Sequence, residues 1–200
     1  MQRKIQATSV IYKKLRELNT PQKIQDYLNK IPFNHERRGE TYHSVYEVLK
    51  AGKAHCFEGA LLACASIWLS GEKPLLMDLR TAKGDLDHVV ALYKKGKYWG
   101  AISKTNHSVL RFRDPIYISP RELAMSYFHE YFLNDGRKTL REFSKPFDLS
   151  KTKHDWLMGQ DNLFPLVDEL DAYPHEKILP KGVKLRRADG VEIKAGKIEG

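Results

Sequence analysis

An apolar helix with a cysteine at its head sets the terms for this fold. Cys56 opens the run Cys56-Phe57-Glu58-Gly59-Ala60-Leu61-Leu62, and the mostly apolar stretch from Ala60 to Leu69 continues it. That stretch is too short to cross a bilayer, which takes roughly 20 residues, so other parts of the chain must cover it. Cover comes next in sequence. After Pro74 the pattern changes to strand: Leu75-Leu76-Met77-Asp78-Leu79, then His88 to Tyr93, a turn at Lys94-Lys95-Gly96-Lys97, and Tyr98-Trp99-Gly100-Ala101-Ile102. A strand followed by a hairpin predicts an antiparallel sheet. The helices ahead of it predict an α+β architecture with N-terminal helices, the cysteine helix among them, packed on that sheet.

The helices carry their own punctuation. Thr20-Pro21 pairs an N-cap with proline at the first helical position, and Ile24, Tyr27, Leu28 and Ile31 recur at helical spacing before Pro32. Val10, Ile11, Leu15 and Leu18 predict an earlier helix. Val45, Tyr46, Val48 and Leu49 predict another, stopped by Ala51-Gly52, and Gly71 should end the cysteine helix. Ser119-Pro120-Arg121-Glu122 reads as a capping box opening a helix through Leu123, Ala124, Tyr127, Phe128 and Tyr131, whose aromatic residues are core at that spacing. A short helix is expected near Thr139 to Phe143, with loops at Pro146 and Pro165. Residues 183–194, with Asp189-Gly190 as a turn, read as a small basic hairpin. The organisation expected is one main domain over residues 1–175 and a basic C-terminal hairpin or tail over 176–200.

The 200 residues suffice for one core, and 42% hydrophobic with 30% charged residues is an ordinary globular composition. The net charge of +9 allows weak contact with nucleic acid or an acidic surface, with Lys184, Arg186 and Arg187 as first candidates. No apolar run follows Met1-Gln2-Arg3-Lys4, so neither a secretory signal nor a membrane association is expected, and a cytoplasmic protein is the economical inference. Cys56 and Cys64 lie eight residues apart on one helix, about 12 Å at the helical rise and beyond the ~7 Å reach of a disulfide. Both are expected as free thiols, Cys64 as a buried hydrophobe.

Cys56 is the residue that points to chemistry. Unpaired backbone N–H groups and the positive end of the dipole at a helix start favour thiolate over thiol. His88, opening a strand in Asp85-Leu86-Asp87-His88-Val89-Val90, can supply an imidazole partner. Asp87 should not orient it, because adjacent strand residues face opposite ways. His55 and Cys56 with His88 fall short of a closed zinc site, and Gly136-Arg137-Lys138-Thr139 lacks the first glycine of a phosphate loop. No metal or cofactor is expected.

Cys56-Phe57-Glu58-Gly59-Ala60, the strand at His88 and the Trp-containing strand Tyr98-Trp99-Gly100-Ala101-Ile102 together resemble the cysteine, histidine and final-strand blocks of the transglutaminase-like superfamily. The resemblance spans about Thr20 to Pro120. It implies a papain-like core and the order Cys, His, Asp, with the cysteine starting a helix and the other two on adjacent strands. This sequence departs at the third position, where Ser103 stands in Ile102-Ser103-Lys104-Thr105. A serine can accept from an imidazole N–H but brings no full negative charge. Asn106 is the alternative orienter. The expected function is a cysteine enzyme acting on peptide or amide bonds through a thioester at Cys56, hydrolysis before acyl transfer. The alternative is an inactive basic binding module on the same scaffold.

Overall fold

The computed structural model describes residues 9–36 and 39–197. Its helices are α1 (Ser9–Glu17), α2 (Pro21–Lys30), α3 (Val45–Ala51), α4 (Cys56–Leu69), α5 (Pro120–Met125), α6 (Phe164–Asp171) and α7 (Gly190–Gly196). Its strands are β1 (Leu75–Thr81), β2 (His88–Lys95), β3 (Tyr98–Ile102), β4 (Arg113–Tyr117), β5 (Leu140–Ser144), β6 (Phe147–Asp148) and β7 (His175–Lys177). The strands form one antiparallel sheet in the order β4-β3-β2-β1-β5-β7, with β6 paired to β1. The architecture is α+β. No helix among the described residues is long and apolar enough to cross a membrane.

Every residue of α4 from Phe57 to Ile67 is buried, so the helix needs cover on all sides. The sheet gives it one side, because β2 turns Val89, Ala91 and Tyr93 towards it while β3 contributes Ile102. Leu15, Ile24, Leu28, Val45 and Val48 of α1, α2 and α3 close the rest. The alternate residues Met77, Leu79, Val90, Leu92 and Ala101 meet a second layer of Leu123, Ala124, Tyr127 and Phe128. This two-residue alternation is what a sheet covered on both faces requires.

Two local details place the head of α4. Gly52 ends α3 in the left-handed conformation, with φ of 66°, so the chain turns at once into the connector carrying His55. Gly59 lets the end of β3 come close, since a Cβ at that position would overlap the side-chain carbons of Lys104.

Three expectations are corrected. Residues 140–144 form strand β5, not a helix, because Leu79 pairs with Phe143 and Thr81 with Leu140 across a register shift. The bulge leaves Leu140 and Phe143 in the same core layer, and three-residue spacing then imitates a helical period. No hairpin forms at 183–194. Asp189 instead caps α7, accepting from the N–H groups of Val191 and Glu192 while the Glu192 carboxylate accepts from the Asp189 N–H. Asp-x-x-Glu acts here as a capping box, and that outweighs Asp-Gly as a turn. β7 pairs with β5, so residues 175–177 belong to the main sheet. The helix after Ser119 also stops at Met125, and turns closed by Tyr127, Phe128 and Glu130 carry the aromatic residues into the core.

Gly59→Ala should therefore be destabilising by overpacking, by about 1–3 kcal/mol, or several degrees in Tm at ~2–4 °C per kcal/mol. Thermal unfolding of the variant measures this; an unchanged Tm would mean that Lys104 does not press on α4.

Candidate active site

The antiparallel pairing of β2 with β3 brings the start of one beside the end of the other, with Ala91 opposite Ile102. His88 therefore lies near Ser103, and the head of α4 stands over both. The His88 ring Nε2 is 2.8 Å from Ser103 Oγ. That hydroxyl donates its one hydrogen to the Leu110 carbonyl at 2.6 Å, so it must accept from the imidazole. His88 is thus protonated on Nε2, and Nδ1 is left for the thiol. Of the two expected orienters, Ser103 is the one that His88 reaches. Asn106 lines the cleft instead. The Asp87 carboxylate accepts from the Thr81 N–H at 2.7 Å and its hydroxyl at 2.9 Å, so it is occupied there.

Ser103 is itself clamped. The Gln25 side chain donates to the Ser103 carbonyl at 2.7 Å and accepts from its N–H at 3.0 Å. Lys104, almost fully buried, donates to the carbonyls of Leu28 and Ile31 at 2.8 and 2.6 Å at the end of α2. Burial lowers its pKa, with the charge of Arg111 adding to the effect. Neither Gln25 nor Lys104 was singled out in the sequence. A glutamine beside Ile24 on an amphipathic helix gives no sign that its amide will reach a strand end.

Beneath the thiol lies Glu58, fully buried. Its carboxylate accepts from the N–H of His55 at 2.9 Å, the N–H of His43 at 3.2 Å and the Asn34 amide at 3.2 Å. The His43 ring also meets it. Glu58 sits in the first turn, where the dipole favours an anion, and it binds the connector segments to the helix. His55 packs against Cys56 from this side. Its Nε2 meets the Thr41 carbonyl at 2.7 Å, with carboxylate oxygens of Glu58 and Glu36 at 3.6 and 3.7 Å.

Both imidazoles, of His55 and His88, act on the Cys56 sulfur. Burial opposes its ionisation, but hydrogen bonds from His55 and His88, and then their charges, bring the Cys56 thiol down to about 5. Burial likewise opposes charge on His55. The hydrogen bond to Cys56, the thiolate and Glu58 charges and the Thr41 carbonyl overcome it and raise His55 to about 9. Cys64 behaves oppositely: buried without such partners, its thiol is pushed well up.

A cleft of about 180 Å³ leads to the sulfur. Leu86, Val109, Phe132 and Ile193 give it apolar walls, and Asp85, Asn106 and His107 add polar groups. Ile193 and Gly196 belong to α7, so the C-terminal helix forms part of the rim. Among the described residues no cluster of three or more His, Cys, Asp or Glu side chains could hold a metal ion. No protein-family model matches this sequence, and no curated protein sequence matches it either.

Ser103→Ala should slow Cys56 alkylation at mildly acidic pH about fivefold, the equivalent of one hydrogen bond of ~1 kcal/mol. Asn106→Ala should leave the rate unchanged. The reverse pattern, read by mass spectrometry against a Cys64→Ala background, would make Asn106 the orienter.

Proposed function

We propose that this chain is a cysteine enzyme of transglutaminase-like type, built on a papain-like core, that hydrolyses amide or peptide bonds through a thioester at Cys56. The observation that carries the reading is the thiol at the head of a buried helix, flanked by an imidazole whose far nitrogen is fixed by Ser103, at the end of an open cleft.

The chemistry follows from these groups. The Cys56 thiolate attacks the carbonyl carbon, and the N–H of Cys56 faces the oxyanion. That N–H is one of those a helix leaves without an intrahelical acceptor. Collapse breaks the C–N bond as His88 gives its proton to the departing amine. A water then loses a proton to His88 and attacks the thioester. The acid leaves, and Cys56 returns as thiolate beside a protonated His88. An amine in place of that water would give acyl transfer. Water is favoured because the cleft is open, with Leu86 on its rim 83% exposed, and exclusion of water needs a closed site. Two free cysteines fit a reducing, cytoplasmic setting.

Incubation with a quenched-fluorescence peptide library, with and without a primary amine, tests this. Cleavage should vanish in Cys56→Ala and fall by about 10²–10⁴-fold in His88→Ala. Amine-containing products in place of free acids would move the reaction to acyl transfer. An inert protein with an ordinary thiol would end the enzyme reading.

A second reading is favoured by one separate observation. Arg137, Lys138 and Arg141 face Arg186 and Arg187 around a cavity of about 180 Å³, while Lys184 is exposed outside it. Asp135 pairs with Arg137 at 2.6 Å and lies 3.9 Å from Arg187. The pocket suits the phosphates of a single-stranded nucleic acid. Fluorescence polarisation should then show an affinity for a labelled oligonucleotide that falls with salt, by about 0.7 log units per log salt for each phosphate contact. Arg141→Ala with Arg186→Ala should remove it while Cys56→Ala does not, and no binding at low salt would exclude this reading.

A further inference from the structure

We propose that the two imidazoles beside Cys56 divide the work: His55 holds a standing positive charge that keeps the sulfur ionised, and His88 alone carries the mobile proton. This rests on the cysteine-enzyme reading above and names a residue which that reading does not use.

The division follows from what stands behind each ring. Behind His88 is the Ser103 hydroxyl, a neutral dipole already committed to Leu110. An imidazole so held keeps its orientation, and among the described residues no carboxylate forms an ion pair with it. Behind His55 stand the Thr41 carbonyl at 2.7 Å and the carboxylates of Glu58 and Glu36 within ion-pair range. Opposite charges at that distance favour the imidazolium. Glu58 is shared with the His43 ring, which lies nearer to it than His55 does. Glu58 is bound by His43, Asn34 and the His55 N–H, and the Tyr42 ring closes on His55 edge-on at 5.5 Å. The Tyr42 phenol stays neutral, its pKa pushed up to about 12 by burial first and then by Glu40, Glu36 and Cys56.

Connectivity supports the same assignment. His55 is the N-cap of α4 and Cys56 its first residue, so one rigid stretch of backbone fixes their relation. His88 is on a strand, facing the cleft, where a leaving amine and then a water can reach it. In the proton balance above His88 alternates between its two states once per bond broken, whereas His55 keeps its proton throughout. Its charge acts twice: it holds the attacking thiolate, and it stabilises the same thiolate when the thioester breaks. A thiolate of low pKa is the better leaving group.

The test is the ultraviolet absorbance of the thiolate against pH in Cys64→Ala protein, alone and with His55→Gln or His88→Gln, alongside the pH profile of turnover. In His55→Gln the ionisation midpoint should move towards the free-thiol value of ~8.5, further than in His88→Gln, and turnover should recover as pH rises. In His88→Gln turnover should stay about 10²–10⁴-fold down at every pH. Nitrogen NMR of the imidazoles in wild-type protein needs no variant to fold, and should find His55 doubly protonated at neutral pH. A neutral His55, or a low midpoint that His55→Gln does not move, overturns the proposal alone. A wild-type thiol that ionises only in the ordinary range overturns both the proposal and the enzyme reading.

Discussion

The fold depends on enclosing α4. A helix apolar on nearly every side has no solvent face, so four packing partners, three helices and the sheet, are arranged around it. Its ends are the exception, because a helix terminus leaves N–H groups that cannot be buried without partners. The head of α4 therefore emerges where polar groups converge: the start of β2, the turn after β3 and the connector from α3. The candidate site stands at that point because there the core has to be polar.

This origin explains why so many of the site's supporting groups lie in the core rather than on the surface. Gln25, Glu58, Ser103, Asn34 and Lys104 are all nearly inaccessible. Each meets partners that also serve the fold, as Lys104 does at the end of α2 and Gln25 on the backbone of Ser103. A buried polar group without a partner costs about 1–3 kcal/mol, so such a network is either complete or a liability. Completeness makes it rigid, and rigidity is what the nucleophile and base proposed above would need.

The elements that could be read in the sequence are those in which local and tertiary preference agree. Thr20-Pro21, Ser119-Pro120 and Gly52 act in the structure as their chemistry dictates. The α4, β2 and β3 segments fall where their apolar patterns place them. Cys56, His88 and Ser103 were legible for the same reason: each sits at the end of a regular element, so its neighbourhood follows from topology. Leu140 and Phe143 misled because a bulge is invisible until the partner strand is known. Asp189-Gly190 misled because one short motif supports two outcomes, and a single glutamate decided between them. Glu58 is legible in the sequence only as an acidic residue in the first turn of α4. Its meeting with His43 and Asn34 arises from loops, which carry no period.

On the enzyme reading proposed above, Ser103 changes what the rest of the site must provide. A carboxylate behind the His88 imidazole would both orient the ring and stabilise its charge, whereas Ser103 can only orient. The sulfur is then held ionised by both imidazoles, and His55 is the one with carboxylates in ion-pair range. The carboxylates of Glu58 and Glu36 lie 3.6 and 3.7 Å from its Nε2. In the division proposed above, orientation and charge, which one acidic residue could supply together, fall to Ser103 and to His55.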